Sequence, residues 1–231
     1  MGLPLLVIQH EPDKGLGVLE APLRLAGAEL DIRFAGRDPL EIADHVGVIA
    51  LPGAANPVDA TAAVSATRSS LRDALDRELP ILGICLGAEL LAEAAGGKTF
   101  PCRAEFGYWP VSLTDQGAID PILTGLPARF EAFQAHGYAA ELPHEAIALA
   151  HSENVLQAFR IGSCVWGVQF HPEPTVDMIT SWIRAFGPVM EGHGVNLENL
   201  AAQAQRDVPV WSGLGGGIAQ RFVQMVGRVR R

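Results

Sequence analysis

Short apolar runs alternate with helical stretches through the first half of the chain. Leu5 to Gln9 has the composition of a buried strand, and Leu16, Leu19, Leu23 and Leu25 follow it at helix-like spacing. Glu29 to Phe34, Val46 to Leu51 and Pro80 to Ile84 are the next expected strands, with an alanine-rich polar helix over Ala60 to Glu78 between the last two. Strands that are apolar on both faces and separated by helices imply an α/β fold with a mostly parallel central sheet and right-handed crossovers. After Gly97 the rhythm changes to short β-like runs: Val111 to Leu113, Phe130 to Gln134, Ile147 to Ala150, Val155 to Arg160 and Cys164 to Phe170. A helix is expected after Pro172, with Val176, Ile179, Trp182, Ile183 and Phe186 on its apolar face.

From Gly187 onward the chain reads as an appendage, so the expected organisation is a domain over 1–187 and a C-terminal helical extension over 188–231. Asn196 to Gln205 is a candidate helix. The run Trp211-Ser212-Gly213-Leu214-Gly215-Gly216-Gly217 has a superficial phosphate-loop look, but it lacks the lysine and the preceding apolar strand, and a flexible loop is expected there. Leu214, Ile218, Phe222, Met225 and Val229 recur at helical spacing and form a narrow stripe that must bury, either on the chain's own core or in a homodimer interface.

Composition narrows the function classes. With 231 residues, 48% apolar and 19% charged, the chain can bury one substantial core and is not a disordered segment. A formal net charge of −9 gives no footing for nucleic acid or an anionic membrane. The cluster Arg228, Arg230 and Arg231 reads as a solvated helix end. No stretch approaches the ~18 uninterrupted apolar residues of a membrane span, and Met1 to Gln9 is expected to be a strand and not a signal peptide. Three cysteines without paired spacing fit a reduced, cytoplasmic setting. No His/Cys/Asp cluster has metal-ligand spacing, and no cofactor is expected.

Candidate chemistry gathers at two places. Pro80 to Ile84 runs into Cys85, and Leu86 to Ala92 leaves as a helix, with Gly83 and Gly87 flanking the junction. A cysteine at a strand-to-helix turn between glycines is a nucleophile-elbow arrangement, and the helix N-terminus favours its thiolate. On this feature alone, a reactive cysteine and a buried structural one both remain open. The second place is His171-Pro172-Glu173, at the end of the apolar run Val165 to Phe170. A histidine can take the thiol proton and return it to a leaving amine, while a carboxylate fixes its tautomer. Alone the tripeptide is also an ordinary helix start; with the elbow it is specific.

On these residues the sequence resembles the class I (triad) glutamine amidotransferases, in particular stand-alone proteins similar to the amidotransferase half of GMP synthase. The resemblance runs from about Leu3 to Phe186. It rests on Gly83-Ile84-Cys85-Leu86-Gly87, His171-Pro172-Glu173, Glu105 to Val111, Phe133 to Gly137, Gln157 to Arg160 and the loop Leu51-Pro52-Gly53-Ala54. It implies a flavodoxin-like fold, with Cys85 as nucleophile, His171 as acid/base and Glu173 as its orienter. It also implies an oxyanion hole of the Ala54 and Leu86 backbone N–H groups, worth roughly 3–4 kcal/mol to a transition state. Gly53, Glu89, His136, Gly137 and Tyr138 would contact a small substrate, glutamine or a γ-glutamyl compound. Released ammonia would pass to a synthetase partner. Two positions depart from the family pattern. Ala54 replaces a glycine, and Glu89 replaces the usual glutamine; it either faces the pocket or turns to an arginine such as Arg103. The same triad suits a γ-glutamyl amide or peptide hydrolase, and the two departures suit a binding or regulatory module with weakened turnover.

Overall fold

The computed structural model describes residues 2–229, so Met1, Arg230 and Arg231, including two members of the basic C-terminal cluster, lie outside the described residues. Strand β1 (Leu3–Gln9) pairs in parallel with β2 (Ala28–Phe34) on one side and β3 (Gly47–Ala50) on the other. Parallel pairing continues from β3 to β4 (Ile81–Ile84) and from β4 to β9 (Val165–Val168). Every residue of β3, β4 and β9 is buried, which explains why these strands appear as unbroken apolar runs. Beyond β9 the sheet turns antiparallel through β8 (Leu156–Ile161), β7 (Ile147–His151), β5 (Lys98–Leu113) and β6 (Arg129–Glu141), giving nine strands in the order β2-β1-β3-β4-β9-β8-β7-β5-β6.

Strand β5 is far longer than the expected run at Val111 to Leu113. It forms a ribbon with β6, bulged between Pro101 and Glu105. Most of its residues before Val111 are exposed or half-buried, so backbone pairing holds the ribbon and leaves no apolar run in the sequence.

The helices are α1 (Glu20–Leu25), entered through a 3-10 turn at Gly17–Leu19, then α2 (Ala62–Asp76), α3 (Leu86–Ala94), the single turn α4 (Asp115–Ala118), α5 (Val176–Gly192) and α6 (Leu197–Val229). Threonine hydroxyls cap the starts of α2, α4 and α5. Thr61 Oγ1 accepts from Val64 N–H at 3.2 Å, and Thr175 Oγ1 accepts from Met178 N–H at 3.2 Å. The expected domain boundary after residue 187 falls inside α5.

The loop expected at Trp211 to Gly217 is absent: α6 runs as one helix of 33 residues through it. Glycine in a helix costs about 1 kcal/mol relative to alanine, yet here it permits close packing. A Cβ on Gly215 would stand 2.3 Å from the Pro172 carbonyl oxygen, and one on Gly216 would stand 3.0 Å from the Pro22 ring. Trp211, Ile218, Phe222 and Val226 bury in the main core, with Leu214 and Met225 packed at its edge. The stripe therefore docks on the chain's own core, and only Val229 is left exposed. Among the described residues no helix is long and apolar enough to cross a membrane.

Candidate active site

Cys85 sits between β4 and α3 with φ 50° and ψ −112°, a left-handed backbone that a non-glycine residue adopts at a cost of about 1–3 kcal/mol. The surroundings hold it there. Its N–H donates to the Val168 carbonyl at 2.8 Å, and its own carbonyl accepts from Ala88 and Glu89. The flanking glycines are steric necessities. A Cβ on Gly83 would lie 2.7 Å from the Gly87 carbonyl oxygen, and one on Gly87 would lie 2.1 Å from the Ala50 carbonyl oxygen. The elbow thus brings α3 hard against β3 and β4 and aims the thiol into a cavity of about 340 Å³.

His171 lines the same cavity and is buried. Its N–H donates to the Phe133 carbonyl at 2.9 Å, and its Nδ1 lies 2.7 Å from Glu173 Oε1. A carboxylate accepts, so Nδ1 carries the proton and Nε2 faces the thiol side without another hydrogen-bond partner among the described residues. Burial alone would lower the imidazole pKa, but Glu173 and the adjacent Cys85 outweigh it and push it up to about 10. Burial raises the Cys85 thiol, and the His171 charge pulls it back down. Thiol, imidazole and carboxylate are thus buried together, the thiol and the carboxylate each close enough to shift the titration of the imidazole.

The loop Leu51 to Ala54 packs beside it. A Cβ on Gly53 would lie 2.5 Å from Leu86 Cδ2 and 3.1 Å from the His10 ring. Among the described residues the non-glycine positions with positive φ are Glu78 and Cys85, so the methyl of Ala54 brings no backbone strain. Its N–H is engaged: Glu11 accepts from it through Oε1 at 3.2 Å and Oε2 at 3.3 Å. Leu86, first residue of α3, has an N–H without an intrahelical acceptor.

A family model described as glutamine amidotransferase class-I matches residues 18–184. The chain belongs to that family. Among curated relatives, the GMP synthase [glutamine-hydrolyzing] of Thermomicrobium roseum is 41% identical over 101 residues, 43% of this chain and 19% of that protein. A GMP synthase [glutamine-hydrolyzing] subunit from Methanopyrus kandleri is 38% identical over 104 residues, 43% of this chain and 54% of the relative. The matched stretch thus spans about a fifth of the one relative and half of the other. A solved glutamine amidotransferase of Thermotoga maritima superposes with TM-score 0.86 at 25% identity, covering 96% of this chain and 99% of that one. One from Methylobacillus flagellatus gives 0.86 at 21%, covering 97% and 95%.

Glu89 faces inward. It is buried, lines the cavity and accepts from Gln169 Nε2 at 2.9 Å. Burial raises its carboxyl pKa. Arg103 is not its partner; that guanidinium lies 5.9 Å from the Trp109 ring centroid. His136, Gly137 and Tyr138 line the opposite wall on β6. His136 Nδ1 is 3.0 Å from the Tyr138 carbonyl oxygen and Nε2 is 3.2 Å from Glu105 Oε2. Glu105 is itself fully buried and accepts from Ser152 at 2.8 Å, Asn154 at 2.9 Å and Gln157 at 2.8 Å.

Sequence reasoning missed two features of the site. The loop after β1 supplies Glu11 and also Lys14, whose ammonium lines the cavity 3.5 Å from Glu11 and 3.4 Å from Asp13. The second feature is an apolar wall of Phe106, Trp182, Phe186 and Met190. Trp182 and Phe186 carry a signal, since they belong to the apolar face expected after Pro172, but a helix face facing a cavity looks like one facing a core. Glu11 and Lys14 carry none.

Proposed function

We propose that this protein hydrolyses the side-chain amide of glutamine through Cys85, His171 and Glu173, and that a synthetase partner in the same reducing, cytoplasmic compartment takes the ammonia. The contact that carries the proposal is the 2.7 Å Nδ1–Glu173 pairing, which leaves Nε2 free toward a thiol at a strained elbow in the same cavity. Cys85 gives its proton to His171, and the thiolate attacks the amide carbon. Negative charge on the carbonyl oxygen is met by the N–H groups of Leu86 and Ala54, so the Glu11 carboxylate must leave Ala54 before that oxygen arrives. His171 protonates the departing nitrogen, releasing ammonia and leaving a thioester. It then takes a proton from water, which attacks the thioester to give glutamate and return the thiol. Glu173 keeps its charge throughout and stabilises the imidazolium. Gly53, Glu89, His136, Gly137 and Tyr138 hold the amino-acid end. The partner is argued from the relatives, whose names describe glutamine-hydrolysing GMP synthases, one of them built from separate subunits.

The apolar wall favours a second reading within the same chemistry. Phe106, Trp182, Phe186 and Met190 would suit a γ-glutamyl amide bearing an apolar amine. Glutamate release from glutamine and from a panel of γ-glutamyl amides separates the two. The expected result is glutamate and ammonia from glutamine by wild type, with turnover abolished by Cys85→Ser at unchanged melting temperature. Undiminished activity in that variant refutes the mechanism; release only from substituted amides shifts the substrate to the second reading.

A further inference from the structure

The backbone of His171-Pro172-Glu173 is approached at each of its three carbonyls by one of two other parts of the chain, the turn before α1 and helix α6. The Glu173 carbonyl accepts from Val18 N–H at 2.9 Å, and a Cβ on Gly17 would stand 2.0 Å from that oxygen. The other two contacts come from α6. Trp211 Nε1 donates to the His171 carbonyl at 3.1 Å, and Gly215, four residues on and thus on the same face, brings the helix against the Pro172 carbonyl. Trp211 is buried. Its ring stacks on Phe130 at 5.5 Å and 27° and meets the edge of Phe170, the residue before His171, at 6.0 Å and 75°.

We propose that Trp211 is a positioning residue for His171: through its indole N–H, α6 fixes the histidine backbone so that Nδ1 meets Glu173 and Nε2 meets Cys85. The proposal rests on the triad reading given above. A buried carbonyl without the indole donor loses a hydrogen bond, and although the bridge from His171 to Phe133 on β6 remains, the peptide that follows His171 is held less firmly. The imidazole hangs from that peptide. Its contact with Glu173 is short, so a small backbone rotation lengthens it and weakens the pull that keeps the imidazole protonated beside the thiol. The five apolar positions expected to bury the tail then account for only part of what α6 does. The remainder is a directed contact from an indole three residues before the first of them.

The test reads the thiol–imidazole pair directly, so it does not depend on glutamine being the substrate. Alkylation of Cys85 by iodoacetamide is followed across pH by peptide mass spectrometry, which separates it from Cys102 and Cys164. Trp211→Phe keeps a ring against Phe130 and removes the donor. Expected is a shift of the Cys85 alkylation midpoint to higher pH, because a displaced His171 stabilises the thiolate less. In the glutamine assay kcat should fall about tenfold while KM stays within about twofold, the pattern of lost geometry without lost binding. Gly215→Ala, which drives a methyl at the Pro172 carbonyl, should move the midpoint the same way, and it keeps the question answerable should Trp211→Phe fold poorly. Phe130→Leu is the control: it loosens the stack, lowers the melting temperature and leaves the midpoint in place. If Trp211→Phe and Gly215→Ala lower only the melting temperature, with wild-type alkylation profiles, the positioning role is overturned and Trp211 is packing. If wild type alkylates with the expected profile but turns over no glutamine, the substrate reading fails while the role of Trp211 stands.

Discussion

At Glu89 the family's usual amide is replaced by a carboxyl, and the structure encloses it. A buried carboxyl facing Gln169 and Cys85 is driven toward its neutral form, and an ionised one would oppose both an arriving carboxylate and a developing oxyanion. Glu89→Gln keeps the size and the acceptor for Gln169 and removes the possibility of ionisation. It is expected to lower KM for glutamine several-fold at little change in kcat, read from steady-state glutaminase kinetics; an unchanged or reduced kcat/KM sinks it. The elbow and the pairing of His171 with Glu173 were legible because Cys85 combines a strand end, a helix start and two glycines, and because His171 and Glu173 close another apolar run. Glu11 was not legible. Only the fold brings it to Ala54, 43 positions away.

Elements fully buried on both faces were readable from sequence, as β1 from Leu5 onward, β3, β4 and β9 show. Elements held by a neighbour's backbone or by tertiary packing were not. The ribbon strand β5 lacks an apolar run, and the glycine-rich part of α6 follows local propensity to the wrong answer. Propensity is a weak term beside burial: Ile218 and Phe222 are wholly buried, and Phe222 meets the edge of Trp166 at 6.3 Å. Phe222→Ala is expected to cost about 3–5 kcal/mol by urea denaturation, while the alkylation midpoint of Cys85 in the folded fraction stays at its wild-type value. A loss below about 1 kcal/mol would mean that α6 is only loosely attached to the sheet.

Across the whole molecule, the sheet is closed by distant partners. Strand β4, which delivers Cys85, pairs with β9, which delivers His171, in a register from Ile81↔Val165 to Ile84↔Val168. Such non-local pairing is slow, because the intervening chain must be ordered before the contact rewards it. After dilution from urea, compactness and helix content should recover before the low-pH alkylation of Cys85, which should appear only in the slowest phase. Stopped-flow circular dichroism with pulsed alkylation checks this order; simultaneous recovery would place the β4–β9 closure early.

The grip of α6 on the His171 carbonyl has a consequence for the chain while it is being made. Synthesis runs from the N-terminus, so Cys85, His171 and Glu173 all emerge before Trp211 and Gly215. A nascent polypeptide on the ribosome therefore carries every reacting group without the helix that aligns them. The alignment proposed for His171 waits on the synthesis of α6, and a chain cut before Trp211 keeps its thiol and its histidine but loses the indole contact to the His171 carbonyl.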